Sequence, residues 1–147
     1  MRAVWTLLCR SSSVDQSTNV LSVFEIVEEV HLQPVVGTVQ AVPDGALLDH
    51  DLTLIALLAR SADVPEQGDV ILRLVTPKGE HVMGTMAVDL RNHKRFRLIA
   101  RMNGIPFFGL GTYWFTLTDS RDKEIVRYDV EILETPHVQG VVAAQAR

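Results

Sequence analysis

Asp49, His50 and Asp51 form the densest run of metal-type ligands in the chain. Carboxylates and imidazoles hold divalent metals where several of them converge. On an extended chain, consecutive side chains point to opposite faces, so only two of these three can converge without a turn. No second cluster at hairpin or helical spacing completes a ligand shell. The run is therefore read as a polar loop entering a strand, and no metal site is assigned. The five histidines, His31, His50, His81, His93 and His137, are scattered and are read as solvent-exposed. Asp119, Asp122 and Glu124 resemble an acidic cation loop but lack its spaced oxygen ligands and its glycine. That segment reads as a hairpin turn, as does Asp15–Asn19. Cys9 could act as a nucleophile only beside a group that lowers its pKa. The sequence identifies none, and a cysteine in an apolar strand is ordinarily a small core residue. Ser11, Ser12 and Ser13 show no nucleophile-elbow pattern, and neither a phosphate-binding loop nor a dinucleotide fingerprint is present. No catalytic residue and no cofactor are assigned, and an enzyme is the least favoured class.

Two binding candidates follow from spacing. Arg95, Arg97 and Arg101 alternate with Phe96, Leu98, Ala100 and Met102, so all three arginines fall on one outer strand face, with His93 beside them. Such a row can receive phosphates, carboxylates or an acidic partner. The competing reading is a solvated face balanced by acids on neighbouring strands, such as Asp129 and Glu131, and it is preferred because opposite charges across strands are ordinary. The second candidate is the apolar tip Ile105–Leu110. Strand alternation does not readily bury both Phe107 and Phe108. One of them, with outward-facing Trp114, could form a patch for a protein partner or a second copy. A loop folded over the open end of the core explains the same residues equally well.

These residues need strands to position them. Residues 2–10 are apolar and β-prone, and the strand can run on to Val14 before a hairpin loop ending at Asn19, a residue suited to the left-handed region. Residues 20–32 fit a helix through Val20, Val23, Phe24, Val27 and Val30, and a strand through Val20, Phe24, Ile26, Val30 and Leu32. Frequent β-branching and the preceding hairpin signal favour the strand. Residues 33–51 form a long irregular connection with an edge strand suggested at Val35–Val39. Residues 52–60 have the length of a central strand buried on both faces, a buried helix being the rival reading. Beyond a turn at Pro65–Gly68, inward sets recur with period two. They are Val70, Leu72 and Leu74; then, past a turn at Pro77–Glu80, Val82, Met86, Val88 and Leu90; then Phe96 to Met102; then Tyr113, Phe115 and Leu117; and last Val126, Tyr128, Val130 and Ile132. About eight strands at short intervals imply a single antiparallel β-sandwich of immunoglobulin-like layout.

The first strand ending near a cysteine, the run VDQSTNVLSVFEIVEEV and the closing GIPFFGLGTYWFTL together resemble a family of small bacterial β-sandwich proteins of unknown function. The resemblance spans most of the chain. It implies a fold and a bacterial origin, and brings no catalytic or binding residues with it.

With 147 residues, 47% of them hydrophobic and 22% charged, the chain can bury the core of one domain, placed at 1–134 with a flexible tail over 135–147. A net charge of −4 argues against a nucleic-acid surface. One cysteine permits neither an intramolecular disulfide nor a cysteine-based zinc site, which favours a reducing compartment. The first ten residues lack the apolar length and cleavage site of a signal peptide, and no run approaches a membrane span. The expectation is a cytoplasmic, non-enzymatic protein-interaction or structural module, partnering another protein or itself, with neither nucleic acid nor membrane. The alternative is a small-ligand or anion-binding domain using the Arg95, Arg97 and Arg101 face.

Overall fold

The computed structural model describes residues 1–33, 42–48, 51–63 and 65–135. These form eleven strands and no helix. The strands are β1 (Arg2–Val14), β2 (Leu21–Ile26), β3 (Glu29–Leu32), β4 (Leu47–Leu48), β5 (Leu52–Ala59), β6 (Gln67–Thr76), β7 (Gly79–Asp89), β8 (Arg95–Met102), β9 (Ile105–Pro106), β10 (Gly111–Asp119) and β11 (Glu124–Glu134). A four-stranded sheet, β2-β1-β5-β8, faces a five-stranded sheet, β3-β11-β10-β6-β7, and β4 and β9 make a two-stranded ribbon. The expected Val35–Val39 edge strand, the Asp49–His50 part of the ligand run and the tail from 136 lie outside the described residues.

The core is the sum of the alternating sets. Leu8, Leu54, Leu58 and Leu98 from the four-stranded sheet meet Val70, Leu74, Tyr113, Phe115, Leu117 and Ile132 from the other. Burying side chains of this size contributes roughly 1.5–3 kcal/mol each, the main term opposing chain entropy. β5 is buried along nearly its whole length, as a run of Leu, Ile and Ala requires of a central strand.

The structure corrects three expectations. First, the sandwich is not wholly antiparallel, because β3 pairs with β11 in parallel, Val30 opposite Ile132. The chain reaches it by changing sheets. The Val27 N–H still donates to Leu8 O at 2.9 Å, while Glu28 O accepts from the Glu131 N–H at 3.0 Å. The Tyr128 hydroxyl donates to Val27 O at 3.0 Å and pins the corner. Second, this crossing breaks the single strand expected over 20–32. Val27 and Val30 are buried, whereas Phe24 and Ile26 are exposed on the outer side of β2 and Val20, in the turn before it, is exposed as well. Glu25 at φ 55° marks the irregularity just before the crossing. Third, Val82 does not share a face with Met86 and Val88. Leu72 is opposite Gly84 but Arg73 is opposite Val82, so Met83 is an extra residue. A bulge of one residue inverts everything beyond it, and Val82 is 62% exposed beside Arg73.

The hairpin signals are realised where expected. Asn19 at φ 55° closes the β1–β2 turn, and Asp122 at φ 58° closes the β10–β11 turn. Gly79, at φ 136°, completes the turn after Pro77 and Lys78. The Asp15 carboxylate accepts from the Ser17 hydroxyl and from the Ser17 and Thr18 N–H groups, which hold its pKa at about 2.

Candidate functional site

The register of β8 against β5 fixes where the arginines lie. Phe96, Leu98, Ala100 and Met102 stand opposite Leu58, Ala56, Leu54 and Leu52, all toward the core. Arg95, Arg97 and Arg101 stand opposite Ala59, Leu57 and Thr53 on the outer side, as alternation requires. β8 is also an edge strand. The three arginines are not equivalent. Arg95 and Arg101 are exposed, but Arg97 is half-buried. Its Nη1 donates to Asn19 Oδ1 at 3.1 Å and its Nη2 to Asn19 O at 3.2 Å.

That contact reports a fold-back of the first hairpin. Arg97 is opposite Leu57, and Leu57 is opposite Trp5. A straight β1 would carry Val14 about 30 Å along the strand from Trp5 at about 3.3 Å per residue. Asn19 lies beyond Val14, so its contact with Arg97 requires the distal hairpin to curl back across the outer side. Cys9 and Ile55 point to this same side in register with Thr53 and Leu7, yet both are wholly buried. Around Cys9 and Ile55 the face is closed to solvent, while Trp5, Phe24, Ile26, Arg95 and Arg101 on the same side are exposed.

Asp129 and Glu131 do not balance the arginine row, because they lie on β11 in the opposite sheet. The five-stranded sheet neutralises itself instead. Arg73 bridges Glu80 and Asp122, each at 2.6 Å, and Arg127 pairs with Glu124 at 2.7 Å. Arg91 pairs with Asp89 at 2.6 Å, and the Arg91 side-chain hydrogen bond holds the Asp89 carboxyl at a pKa of about 2. By contrast, Arg2, Arg60, Lys94, Arg95, Arg97 and Arg101 have no carboxylate partner among the described residues. Arg2 stands opposite Ala59, which stands opposite Arg95, while Arg60 and Lys94 follow and precede those strands. The unpaired cations of the described chain thus gather around β8, Lys123 in the β10–β11 turn excepted.

The apolar tip is occupied by the fold. Phe107 is 8% exposed and joins the core, so it is withdrawn as an interface residue. Its N–H donates to Ala46 O at 2.8 Å, and its carbonyl accepts from Gly45. Phe108 stacks on His81, ring centroids 4.3 Å apart at 7°. That half-buries His81, which was expected in solvent, and its Nε2 is enclosed without a partner. The Tyr113 hydroxyl accepts from the Phe108 N–H at 2.6 Å and donates to Gly109 O at 2.9 Å, closing the loop. Trp114 is half-buried with the Arg127 guanidinium 5.9 Å above its ring. What remains open beside the tip is Leu47 and Leu110, 67% and 49% exposed.

Cys9 is a core thiol whose burial pushes its pKa up, away from the thiolate needed for nucleophilic chemistry. Among the described residues no three His, Cys, Asp or Glu side chains converge as a metal site would require. No helix there is long and apolar enough to cross a membrane. The sequence pattern found Arg95, Arg97 and Arg101. Lys94 belongs to the same basic run in the sequence, whereas Arg2 and Arg60 were missed, because only the pairing of β1, β5 and β8 brings them beside it.

The chain matches no protein-family model and no curated protein. Among solved structures it is similar to a beta-glucosidase from Listeria innocua in complex with glucose, at 11% identity and a TM-score of 0.48, over 72% of this chain and 15% of that one. The same protein in complex with isofagomine aligns at 10% identity and a TM-score of 0.42, over 88% of this chain and 16% of that one. The chain therefore spans about a sixth of the length of the solved chains it matches, and likeness at this level says nothing about its activity.

Proposed function

We propose that this protein is a non-enzymatic binding module that receives an acidic protein partner along the cationic side of β8. The observation that carries the reading is the segregation of charge. Carboxylates compensate arginines on the five-stranded sheet, while six cations around β8 have no such partner among the described residues. Uncompensated surface cations on an acidic chain steer and orient an oppositely charged partner. Arginine on an edge strand serves a second end, because it deters pairing with another sheet edge. The reading takes the sandwich as immunoglobulin-like in layout, which the Tyr113 hydroxyl supports by bonding to backbone a few residues upstream, near the start of its strand.

Titration of the whole chain with fluorescent poly-L-glutamate tests this. Binding is expected at low salt and should weaken steeply as salt rises. Arg95→Glu with Arg101→Glu should lower affinity at least about tenfold, two charge-assisted contacts being lost. Lys78→Glu with Arg127→Glu, in the β6–β7 turn and on β11 of the five-stranded sheet, should leave it unchanged. Equal effects of the two double variants would remove the reading.

Self-association beside the tip is the second reading, favoured by exposed Leu47 and Leu110. If Leu47→Asp and Leu110→Asp sediment as the parent does, the tip is not an interface between copies.

A further inference from the structure

At one end of the β8 side the unpaired cations line an open, shallow cleft, and we propose that it is a binding site for a dianionic phosphoryl group. The register builds it. Arg2, Ala59 and Arg95 are in line across β1, β5 and β8, so the two arginine side chains rise on the same face on either side of an alanine. Strands lie about 4.8 Å apart, which sets the two arginine backbones about 10 Å from one another. Long side chains at that separation can turn inward and close both guanidinium forks on one tetrahedral anion between them. The short Ala59 and Ala62 side chains leave the floor of the cleft low.

Two more cations reach the rim by way of the adjoining loops. Arg60 follows β5 and Lys94 precedes β8, and the Arg60 N–H donates to Lys94 O at 3.2 Å, holding the two segments together. Both residues line the cleft with Arg2 and Arg95. Asp63 is the sole carboxylate in that lining, so four cations face one acid in a chain whose net charge is −4. Glu66, the next acid along the chain, sits at the cleft's edge with its carboxylate already engaged. It takes the Met1 amino group and, at 3.4 Å, the Ser61 N–H. Like charges held together without counter-charge cost folding energy, and an anion in the cleft removes that cost. A phosphoryl group fits better than a single carboxylate, since its three oxygens and double charge suit two forks and an ammonium. A nucleic-acid track is disfavoured, because the cations form one short cleft on an acidic chain rather than an extended stripe.

This inference shares Arg95 with the poly-glutamate reading but needs no protein partner, and it is read out on phosphoryl probes and on Arg2. The test is calorimetric titration of the whole chain with inorganic phosphate, with pyrophosphate, and with a phosphoserine peptide beside its unphosphorylated form. Saturable one-to-one binding is expected. It should weaken about tenfold or more in Arg2→Ala and in Arg95→Ala, the scale of one lost charged hydrogen-bonding group. Arg95→Lys should fall between, keeping the charge and losing the fork, and Arg127→Ala, on the opposite sheet, should bind as the parent does. Tighter binding of pyrophosphate would assign the group to a small molecule. Tighter binding of the phosphopeptide would assign it to a modified side chain. Absence of saturable binding to all phosphoryl probes, or an Arg127→Ala loss equal to that of Arg95→Ala, would overturn the proposal.

Discussion

Tyr113 shows how one side chain decides whether the apolar tip is a surface or a lid. It is fully buried, and its hydroxyl is the partner of both the Phe108 N–H and Gly109 O. Burial raises the phenol's pKa above its ordinary value, so both bonds hold through the neutral range, and only the donation to Gly109 O is lost as alkali ionises the group. Tyr113→Phe keeps the ring and orphans two backbone groups, and leaving a buried polar group unpaired costs about 1–3 kcal/mol. Urea unfolding should therefore show a lower midpoint for Tyr113→Phe with an unchanged slope. A variant as stable as the parent would mean the tip is held from elsewhere. Gly104 constrains the same region, since a Cβ there would lie 2.8 Å from Leu48 O. The sequence left the two phenylalanines undecided because alternation predicts only the faces of strands. Whether a loop residue turns inward depended on a hydroxyl five positions away.

Among the elements, the first hairpin departs most from what alternation alone conveys. Its proximal half is flanked by β5, but pairing with β5 ends at Cys9–Thr53 while β1 continues to Val14. Beyond that point only β2 accompanies it, and an isolated two-stranded hairpin is marginally stable in water. The Arg97–Asn19 contact supplies the missing support. Arg97→Ala should speed hydrogen exchange of amides in 12–24 about tenfold or more, the scale of a hydrogen bond to a charged group, and leave β10 unchanged. Exchange equal to the parent's would show that the hairpin holds its position without the arginine. β6, β8, β10 and β11 are legible in the sequence because each has a clean set of inward residues, and β5 because its apolar run has the length of a central strand. The parallel β3 and the bulge at Met83 were not. Switching sheets at Val27 and inserting one residue both reset the phase of a period-two pattern, and the composition on either side is unaltered.

Across the whole molecule, charge is distributed unevenly between the two sheets, and this decides which substitutions cost stability. Arg73 is 21% exposed and contacts Glu80, Asp122 and Thr118 together. Arg95 and Arg101 are exposed, with no carboxylate partner among the described residues. The arginine row was legible as a row. Its lack of counter-charge was not, because the sequence does not say which sheet Asp129 and Glu131 join. If binding rather than folding uses these cations, the two classes must respond differently. Arg73→Ala should destabilise by about 1 kcal/mol, the upper range for a partly exposed network, and less in high salt. Arg95→Ala and Arg101→Ala should stay within about 0.5 kcal/mol of the parent, as unpartnered surface residues do. The sign should lean toward a small gain at low salt, since each removes like-charge repulsion around β8. Urea midpoints at two salt concentrations measure all three. A loss in the Arg95 or Arg101 variants as large as that of Arg73→Ala would place those arginines in the fold's own charge balance. The cationic side would then be occupied by the protein itself rather than open to a partner.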